Sequence, residues 1–481
     1  MKVKRTDIVL KPDWRRVLYR PFIPPAEDRI PKIITRILRL SEAAVKQEIE
    51  QVLAEFKDRN KKLEQFFLKR FEDVQRFLPT DHALSEERKL LIGAYFTHEY
   101  SLESAALFNP SMVWHPNQSG LPKGSRRFIL SLRATGEGHI SSITFRSGIV
   151  DEMNKITVDS PSPFVTTPEI QPNPTYDKSL FEPRLIELGL ANDYALQVMS
   201  ELDDYFTYFE LQKTIDVTMR QYRADNYQAI AKGIIALAQS NYEMTYDEDD
   251  LLSERVIFPS TPPESNGIED ARFVQFYDED GSITYYATYT AFNGKTVIPQ
   301  LLETIDFLHF KISTLNGPEV QNKGFALFPR KINGQYAMIS RQDNENIYIM
   351  FSDQIHFWYT KKILLKPTFP WEYVQMGNCG SPIETEAGWL VISHGVGPMR
   401  RYTIGAFLLD LENPSKVIGR LKEPLLTPNE NEREGYVPNV VYSCGGQIHG
   451  GELIIPYAMS DYASSFATIN LDALLAKLTA Y

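Results

Sequence analysis

Only two cysteines, Cys379 and Cys444, occur in 481 residues. That is too few for a disulfide scaffold, and their spacing is not that of a metal site. A reduced compartment is expected, no metal is assigned, and both thiols read as small buried residues rather than nucleophiles. Basic residues are in the minority, 51 Lys and Arg against 62 Asp and Glu, for a formal charge of -11. Binding along a nucleic-acid backbone needs a concentrated basic face, so no nucleic-acid partner is expected. No apolar run approaches the ~18 residues of a membrane span. The N-terminus, MKVKRTDIVLKPDWRRVLYR, carries Asp and Trp where a signal peptide needs an unbroken apolar stretch. A cytoplasmic protein without a membrane partner is the reading. Also missing are a P-loop, a dinucleotide-binding glycine pattern opening a helix, HExxH and GxSxG.

What is present divides the chain. Over residues 41–91, Ala43, Val45, Ile49, Val52, Leu53, Phe56, Leu63, Phe66, Phe67, Phe71, Val74 and Leu78 recur mostly at three- and four-residue steps, the period of amphipathic helices. Ser41 is a plausible N-cap, and Pro79 ends the pattern. Residues 1–98 therefore read as a helical accessory region. After Glu99 come short runs rich in β-branched and aromatic residues, RRFILSLRA, SITYYATYTAF, NIYIMFS, GWLVISHGV and ELIIPYAMS, separated by Gly, Pro, Asn and Asp. They imply an all-β sandwich, barrel or propeller over residues 99–481. Strand groups begin near Arg127, Ile283, Tyr336, Trp389 and Leu453. Residues 180–240 interrupt them with helical spacing and almost no turn residues, preceded by a Pro-rich connector at 160–174. The insertion is expected to pack on the N-terminal helices, and the two groups together offer a surface for a homo-oligomer.

The most informative stretch is GIEDARF (267–273), in which Glu269, Asp270 and Arg272 directly precede a β-run. Its companions are FALFPRKINGQYAMISR (325–341), NCGSPIETEAGWLVISHGV (378–396), RYTIGAFLLDLENPSKVIGR (401–420) and GYVPNVVYSCGG (435–446). In order and spacing the set resembles the β-mannoside phosphorylases and β-mannosidases of glycoside hydrolase family 130, over about 107–468 with the insertion outside. The resemblance implies a mainly β, five-bladed β-propeller with the site in its central channel. It also implies phosphate and a β-mannoside oligosaccharide as substrates. No cofactor is implied, inorganic phosphate being a co-substrate.

Breaking a glycosidic bond needs an acid for the leaving oxygen and a nucleophile on the opposite face of the ring. A hydrolase adds a carboxylate base to activate water, whereas phosphate needs cations and hydrogen-bond donors to hold it. By resemblance Asp270 is the acid, although Ala271 stands where proline is usual. Lys323, Arg341, His394, Arg401 and Tyr402 match phosphate ligands, and Asn109, Arg133 and Asp461 match sugar ligands. The expectation is an inverting glycoside phosphorylase that cleaves a terminal β-mannosyl linkage and releases α-mannose 1-phosphate. The alternatives are an exo-β-mannosidase using Glu384, Glu432 or Glu434 as base, and a catalytically silent carbohydrate-binding propeller. Tyr289, Trp389 and Tyr457 are candidate sugar platforms, the polar context of Glu432 and Glu434 also fits exposed loop carboxylates, and His139 in GEGHISS, otherwise unexplained, is a candidate for shaping the acceptor side.

Overall fold

The computed structural model describes residues 2–222 and 225–479. Its principal elements are five antiparallel sheets that follow one another along the chain. The first orders Ala106–Trp114, Arg126–Thr135, Ser141–Val150 and Val256–Ile257; the second runs from Gly267–Tyr277 through Ile283–Phe292, Val297–Thr304 and His309–Thr314. The third holds Ala326–Leu327, Tyr336–Ser340, Ile347–Ser352 and Lys362–Leu365, and the fourth Gln375–Asn378, Gly388–Val396, Tyr402–Leu409 and Val417–Arg420. The fifth combines Val441–Tyr442, Glu452–Met459 and Ala463–Asn470 with Lys4–Arg5 from the other end of the chain. Each of the five strand groups expected from sequence thus lies in its own sheet. Apolar side chains fill the spaces between neighbouring sheets: Val113, Phe145, Phe273 and Tyr285 between the first and second, Phe328, Ile349, Trp389 and Phe407 between the third and fourth. Burial on both faces explains why the strands read as near-continuous apolar runs rather than clean alternations.

The sheets touch one another at and beside their first strands. Cys444 donates its backbone N–H to Pro110 O at 2.8 Å, Met112 donates to Gly445 O at 3.3 Å, and Phe273 donates to Ser111 Oγ at 3.1 Å. Thr288 Oγ1 donates to Phe325 O, and the Arg272 Nε–H to Cys379 O at 3.0 Å.

The N-terminal region departs from its expected limits in one respect. Residues 4–5 pair with the last long strand, and Leu10 bridges to Ser464, so the start of the chain belongs to the fifth sheet. The outer edge of Ala463–Asn470 would otherwise be an unpaired ladder. Helices follow at Arg29–Leu38, Glu42–Phe56, Leu63–Val74 and Glu86–Tyr95, with Ser41 Oγ accepting from the Ala44 N–H. The insertion contains Lys178–Glu187, Asp193–Ser200, Tyr208–Met219 and Asp225–Gln239. It rises between Glu169–Pro172 and Tyr242–Thr245, which extend the outer edge of the second sheet. The two helical groups form separate apolar clusters, one around Ile34, Phe67 and Leu91, the other around Tyr194, Phe206 and Ile234. Among the described residues the two groups share no apolar cluster, because each buries its own stripes. No helix among the described residues is long and apolar enough to cross a membrane.

A buried ionic triad fastens the N-terminal segment to the first sheet. Arg16 Nε lies 3.0 Å and Arg146 Nη2 2.8 Å from Glu103 Oε1, and all three side chains are buried. Glu103→Ala would leave two guanidiniums without their shared counter-charge in low dielectric. It is expected to cost about 3 kcal/mol of stability, read as a lowered urea midpoint at unchanged slope. A midpoint within error of the parent's would mean that the triad carries no net weight.

Candidate active site

Two β-bulges create the centre. In the strand Gly267–Tyr277 the pairing jumps from Glu269 opposite Thr290 to Arg272 opposite Thr288, and in Ala106–Trp114 from Phe108 opposite Arg133 to Ser111 opposite Ser131. An extra residue on one strand re-aims its side chains. Asp270 (φ 55°) and Asn109 (φ 49°) occupy these bulges in the left-handed region, a conformation sparsely used by non-glycine residues and concentrated at functional sites. The two side chains meet: Asn109 Nδ2–H donates to Asp270 Oδ1 at 2.6 Å.

Arg133 completes the group. Its Nη1 donates to Asp270 Oδ1 at 3.3 Å, Nη2 to Glu269 Oε1 at 2.9 Å and Nε to Ser141 Oγ at 2.9 Å. Lys323 Nζ lies 3.4 Å from Glu269 Oε2. Burial pushes the Asp270 carboxyl up, but the charges of Arg133, Arg272 and Lys323 and the Asn109 hydrogen bond outweigh it and hold its pKa below the usual aspartate range. Asp461 sits at the tip joining Glu452–Met459 to Ala463–Asn470, also left-handed (φ 49°). Burial pushes it up to about 6, with Arg133 opposing and Asp270 adding to the shift.

The linkage has a definite sign. Between the ordinary aspartate value of 3.8 and about 6, native Asp461 keeps a proton that the unfolded chain has released, so this group makes the fold less stable as pH rises through that window. Asp461→Asn is therefore expected to raise the melting temperature more above about pH 7 than near pH 4. An equal effect at both pH values would show that Asp461 does not titrate in that range.

Beside this acidic group lies a cationic one. Arg341 is buried, pairs with no carboxylate among the described residues, and leaves its Nε–H without a partner. Its side chain threads between Gly324 and Gly377, where a Cβ would come within 2.5 and 2.6 Å of it respectively. His394 is fully buried, and neither ring nitrogen has a well-formed hydrogen bond, although the Asn378 backbone lies beside the ring. Burial, then the charges of Arg341 and Arg272, hold its pKa well below the usual histidine value, so it is neutral. The ring lies 4.9 Å from that of Tyr442 and 6.1 Å from that of Tyr402. The Asn378 amide, fully buried, has both polar atoms unpartnered. Arg272 braces the whole, donating to Asp270 O, Cys379 O and Tyr442 Oη at 2.7 to 3.0 Å. Unsatisfied buried donors each carry a desolvation cost of about 1–3 kcal/mol, and their convergence fits a bound anion better than self-contained packing.

Of the residues singled out from sequence, Asn109, Arg133, Asp270, Lys323 and Asp461 form one group, and Arg341, His394 and Tyr402 the adjoining one. Arg401 does not join them: strand alternation turns it outward, exposed, when Tyr402 stacks on His394. The charge of its neighbour Arg400 reaches Asp461, alongside those of Arg133 and Lys323. Glu384 is exposed and held by Arg330 at 2.8 and 2.9 Å, and Glu434 is exposed. Glu432 is buried, not exposed: it accepts from Arg5 Nε at 2.8 Å and Tyr457 Oη at 2.7 Å. That bond, burial of Tyr289 against Glu264, and burial of Trp389 against Phe328 remove all three aromatic residues from service as sugar platforms. Cys379 and Cys444 are buried free thiols, their pKa values raised by burial. Sequence reading missed Glu269, Asn378 and Tyr442 as members of the centre, though all three lie inside the quoted motifs.

A buried carboxylate among sugar-type ligands, set against a cluster of anion-type donors, defines the class: a mainly β carbohydrate-active centre. The profile of the family described as beta-1,4-mannooligosaccharide phosphorylase matches residues 212–479, and the chain belongs to that family, glycoside hydrolase family 130. A 1,2-beta-oligomannan phosphorylase of Thermoanaerobacter sp. (strain X514) is 36% identical over 260 residues, 52% of this chain and 84% of the relative. A beta-1,2-mannobiose phosphorylase of Listeria innocua serovar 6a is 32% identical over 254 residues, 51% and 68% respectively. A solved beta-1,2-mannobiose phosphorylase of Listeria innocua superposes with a TM-score of 0.47 at 22% identity, covering 78% of this chain and 93% of that one. The family match begins after the first three strands of the first sheet, so Asn109 and Arg133 lie outside it.

Proposed function

We propose that the chain is an inverting β-mannoside phosphorylase. The observation that carries this reading is the buried cluster of Arg341, His394 and Asn378, with donors unpartnered by the protein, immediately beside the Asp270 group. The five sheets would be the blades of one propeller, residues 99–481 with the added N-terminal strand. In support, residues of all five, among them Trp114, Gln275, Arg330, Ser381 and Gln447, line one cavity of about 330 Å³. The terminal mannosyl residue would lie against Asn109, Arg133 and Asp461. Asp270 would deliver the proton to the leaving oxygen through the ligand it contacts, and phosphate held by Arg341, His394 and Tyr402 would attack the anomeric carbon from the opposite face, giving α-mannose 1-phosphate.

The electrostatics favour a dependence on phosphate. Arg272 and Lys323 are among the cations that keep Asp270 ionised; a dianion nearby offsets their field and raises the carboxyl toward a value at which it can hold a proton. The hydrolytic reading needs a free carboxylate base near the anomeric carbon. Glu384 is tied to Arg330 and lines the cavity bounded by Phe273, Gln275 and Tyr277, which lie beyond Asp270 on the strand Gly267–Tyr277. Incubating β-1,2- and β-1,4-mannobiose with and without inorganic phosphate tests the proposal. Phosphate-dependent formation of α-mannose 1-phosphate is expected; release of free mannose at full rate without phosphate would replace the reading with a β-mannosidase.

A further inference from the structure

His139, for which the sequence suggested no more than a place on the acceptor side, stands at the tip between Arg126–Thr135 and Ser141–Val150, in the left-handed region at φ 61°. Its imidazole Nδ1 is 2.9 Å from Tyr436 Oη, and the two rings lie 5.5 Å apart with 34° between their planes. The partners come from different sheets: His139 from the first, Tyr436 from the segment leading into the fifth. Each is anchored to the proposed catalytic group by its own neighbours. On the His139 side, Ser141 Oγ accepts from Arg133, and the Ser141 backbone abuts Gly267 at the start of the Asp270 strand. On the other side, the Val437 N–H donates to Ser460 O at 3.0 Å, next to Asp461. The pair therefore spans two walls of the site, and both side chains are solvent-exposed, Tyr436 by 52%. Nothing in the core requires them to meet.

We infer that the His139–Tyr436 pair is the platform for the leaving sugar, and that it selects the acceptor in the reverse reaction. The inference rests on the phosphorylase reading. In an inverting displacement the nucleophile and leaving group occupy opposite faces of the anomeric carbon. The anion-binding groups come from the third and fourth sheets, through Arg341, His394 and Tyr402. The leaving sugar must then project toward the rim above Arg133 and Asp461, where these two rings stand. A pyranose offers an apolar C–H face that packs on an aromatic ring and a rim of hydroxyls that suits an imidazole nitrogen and a phenol. The hydrogen bond between the two rings fixes their relative angle in water, which lowers the ordering cost when the sugar binds. The ligand class is a neutral pyranoside: the reducing-side sugar of a mannobiose, or a free acceptor hexose in synthesis.

The test is steady-state kinetics in both directions on the full chain and on His139→Ala, Tyr436→Ala and Tyr436→Phe, with β-1,2- and β-1,4-mannobiose, and with α-mannose 1-phosphate plus mannose or glucose. Losing one aromatic contact is expected to raise KM for the disaccharide and for the acceptor about five- to tenfold, with KM for inorganic phosphate unchanged. Tyr436→Phe keeps the ring and loses the bond, so it should alter the preference between acceptors more than the affinity for either. Unchanged disaccharide and acceptor KM values and an unchanged acceptor profile in all three variants of a phosphate-dependent parent would overturn the inference. A parent that releases mannose without phosphate would instead overturn the reading on which it rests.

Discussion

Asp270→Asn is expected to fold like the parent and to lose about 10²- to 10⁴-fold of its turnover in phosphorolysis and synthesis alike, the usual consequence of removing a general acid. The substitution is nearly isosteric, and the residue already sits at a left-handed bulge position that asparagine tolerates well. What changes is charge. Arg133 loses one of its two carboxylate partners but keeps Glu269 at 2.9 Å, so the guanidinium is not stranded and the scaffold should hold. The amide oxygen can still receive Asn109, yet its N–H protons are not acidic enough to protonate a leaving oxygen. Both directions must suffer, because the group that protonates the leaving oxygen in one direction deprotonates the attacking hydroxyl in the other. Circular dichroism and melting temperature matched to the parent, with turnover near background, is the expected pairing. Retention of more than about a tenth of parental activity would remove Asp270 from the acid role.

Arg341→Ala and His394→Ala are each expected to raise KM for phosphate by about 10- to 100-fold while changing KM for the mannoside little, since hydrogen bonds to a charged group contribute about 1.5–3 kcal/mol each. A phosphate dianion is strongly hydrated, and only several preorganised donors acting together can replace its water shell. The side chains are suitably fixed: Arg341 has no room to swing, enclosed by Gly324 and Gly377, and His394 lies between the rings of Tyr402 and Tyr442. Removing either also deletes a buried donor that the protein leaves unpartnered, so the relief of its desolvation cost offsets part of the cavity left behind, and the change in stability should be small beside the loss in phosphate affinity. Equal increases in KM for mannoside and phosphate would place the cluster in general scaffolding. Activity that is independent of phosphate and abolished by changing Glu384 or Glu434 would place the chemistry with water.

The two effects are coupled through electrostatics. Asp270 is held ionised by Arg133, Arg272 and Lys323, and it must carry a proton to act as an acid. A bound dianion supplies the compensating charge, so weakening the anion cluster should also shift the alkaline limb of the pH profile, where the acid loses its proton, toward lower pH. This shift, measured as kcat against pH at saturating mannoside, separates a direct loss of phosphate contacts from a general loosening of the site.

How much of this was legible beforehand differs by level. Strand composition and punctuation located all five strand groups, because residues buried on both faces leave apolar runs that need no knowledge of their partners. The helical period located both helical regions for the same local reason, and the side-chain types of Asp270, Arg341 and His394 already carried their chemistry. Long-range pairing is what the linear order does not display. That Lys4–Arg5 completes the fifth sheet, that the two helical groups keep separate cores, and that Glu384 is neutralised by Arg330 all depend on chain segments 50 to several hundred residues apart. Strand alternation alone could have set Arg401 outward against Tyr402, but which of the two faced the site required His394 beside it. Most of all, the bulges at Asn109 and Asp270 are set by register against neighbouring strands, a relation between two strands rather than a property of either. The sequence by itself determined which groups could hold a proton, a sugar or an anion; the tertiary structure decided which of them meet, because only packing of the sheets brings Asn109, Arg133 and Asp270 within hydrogen-bonding distance.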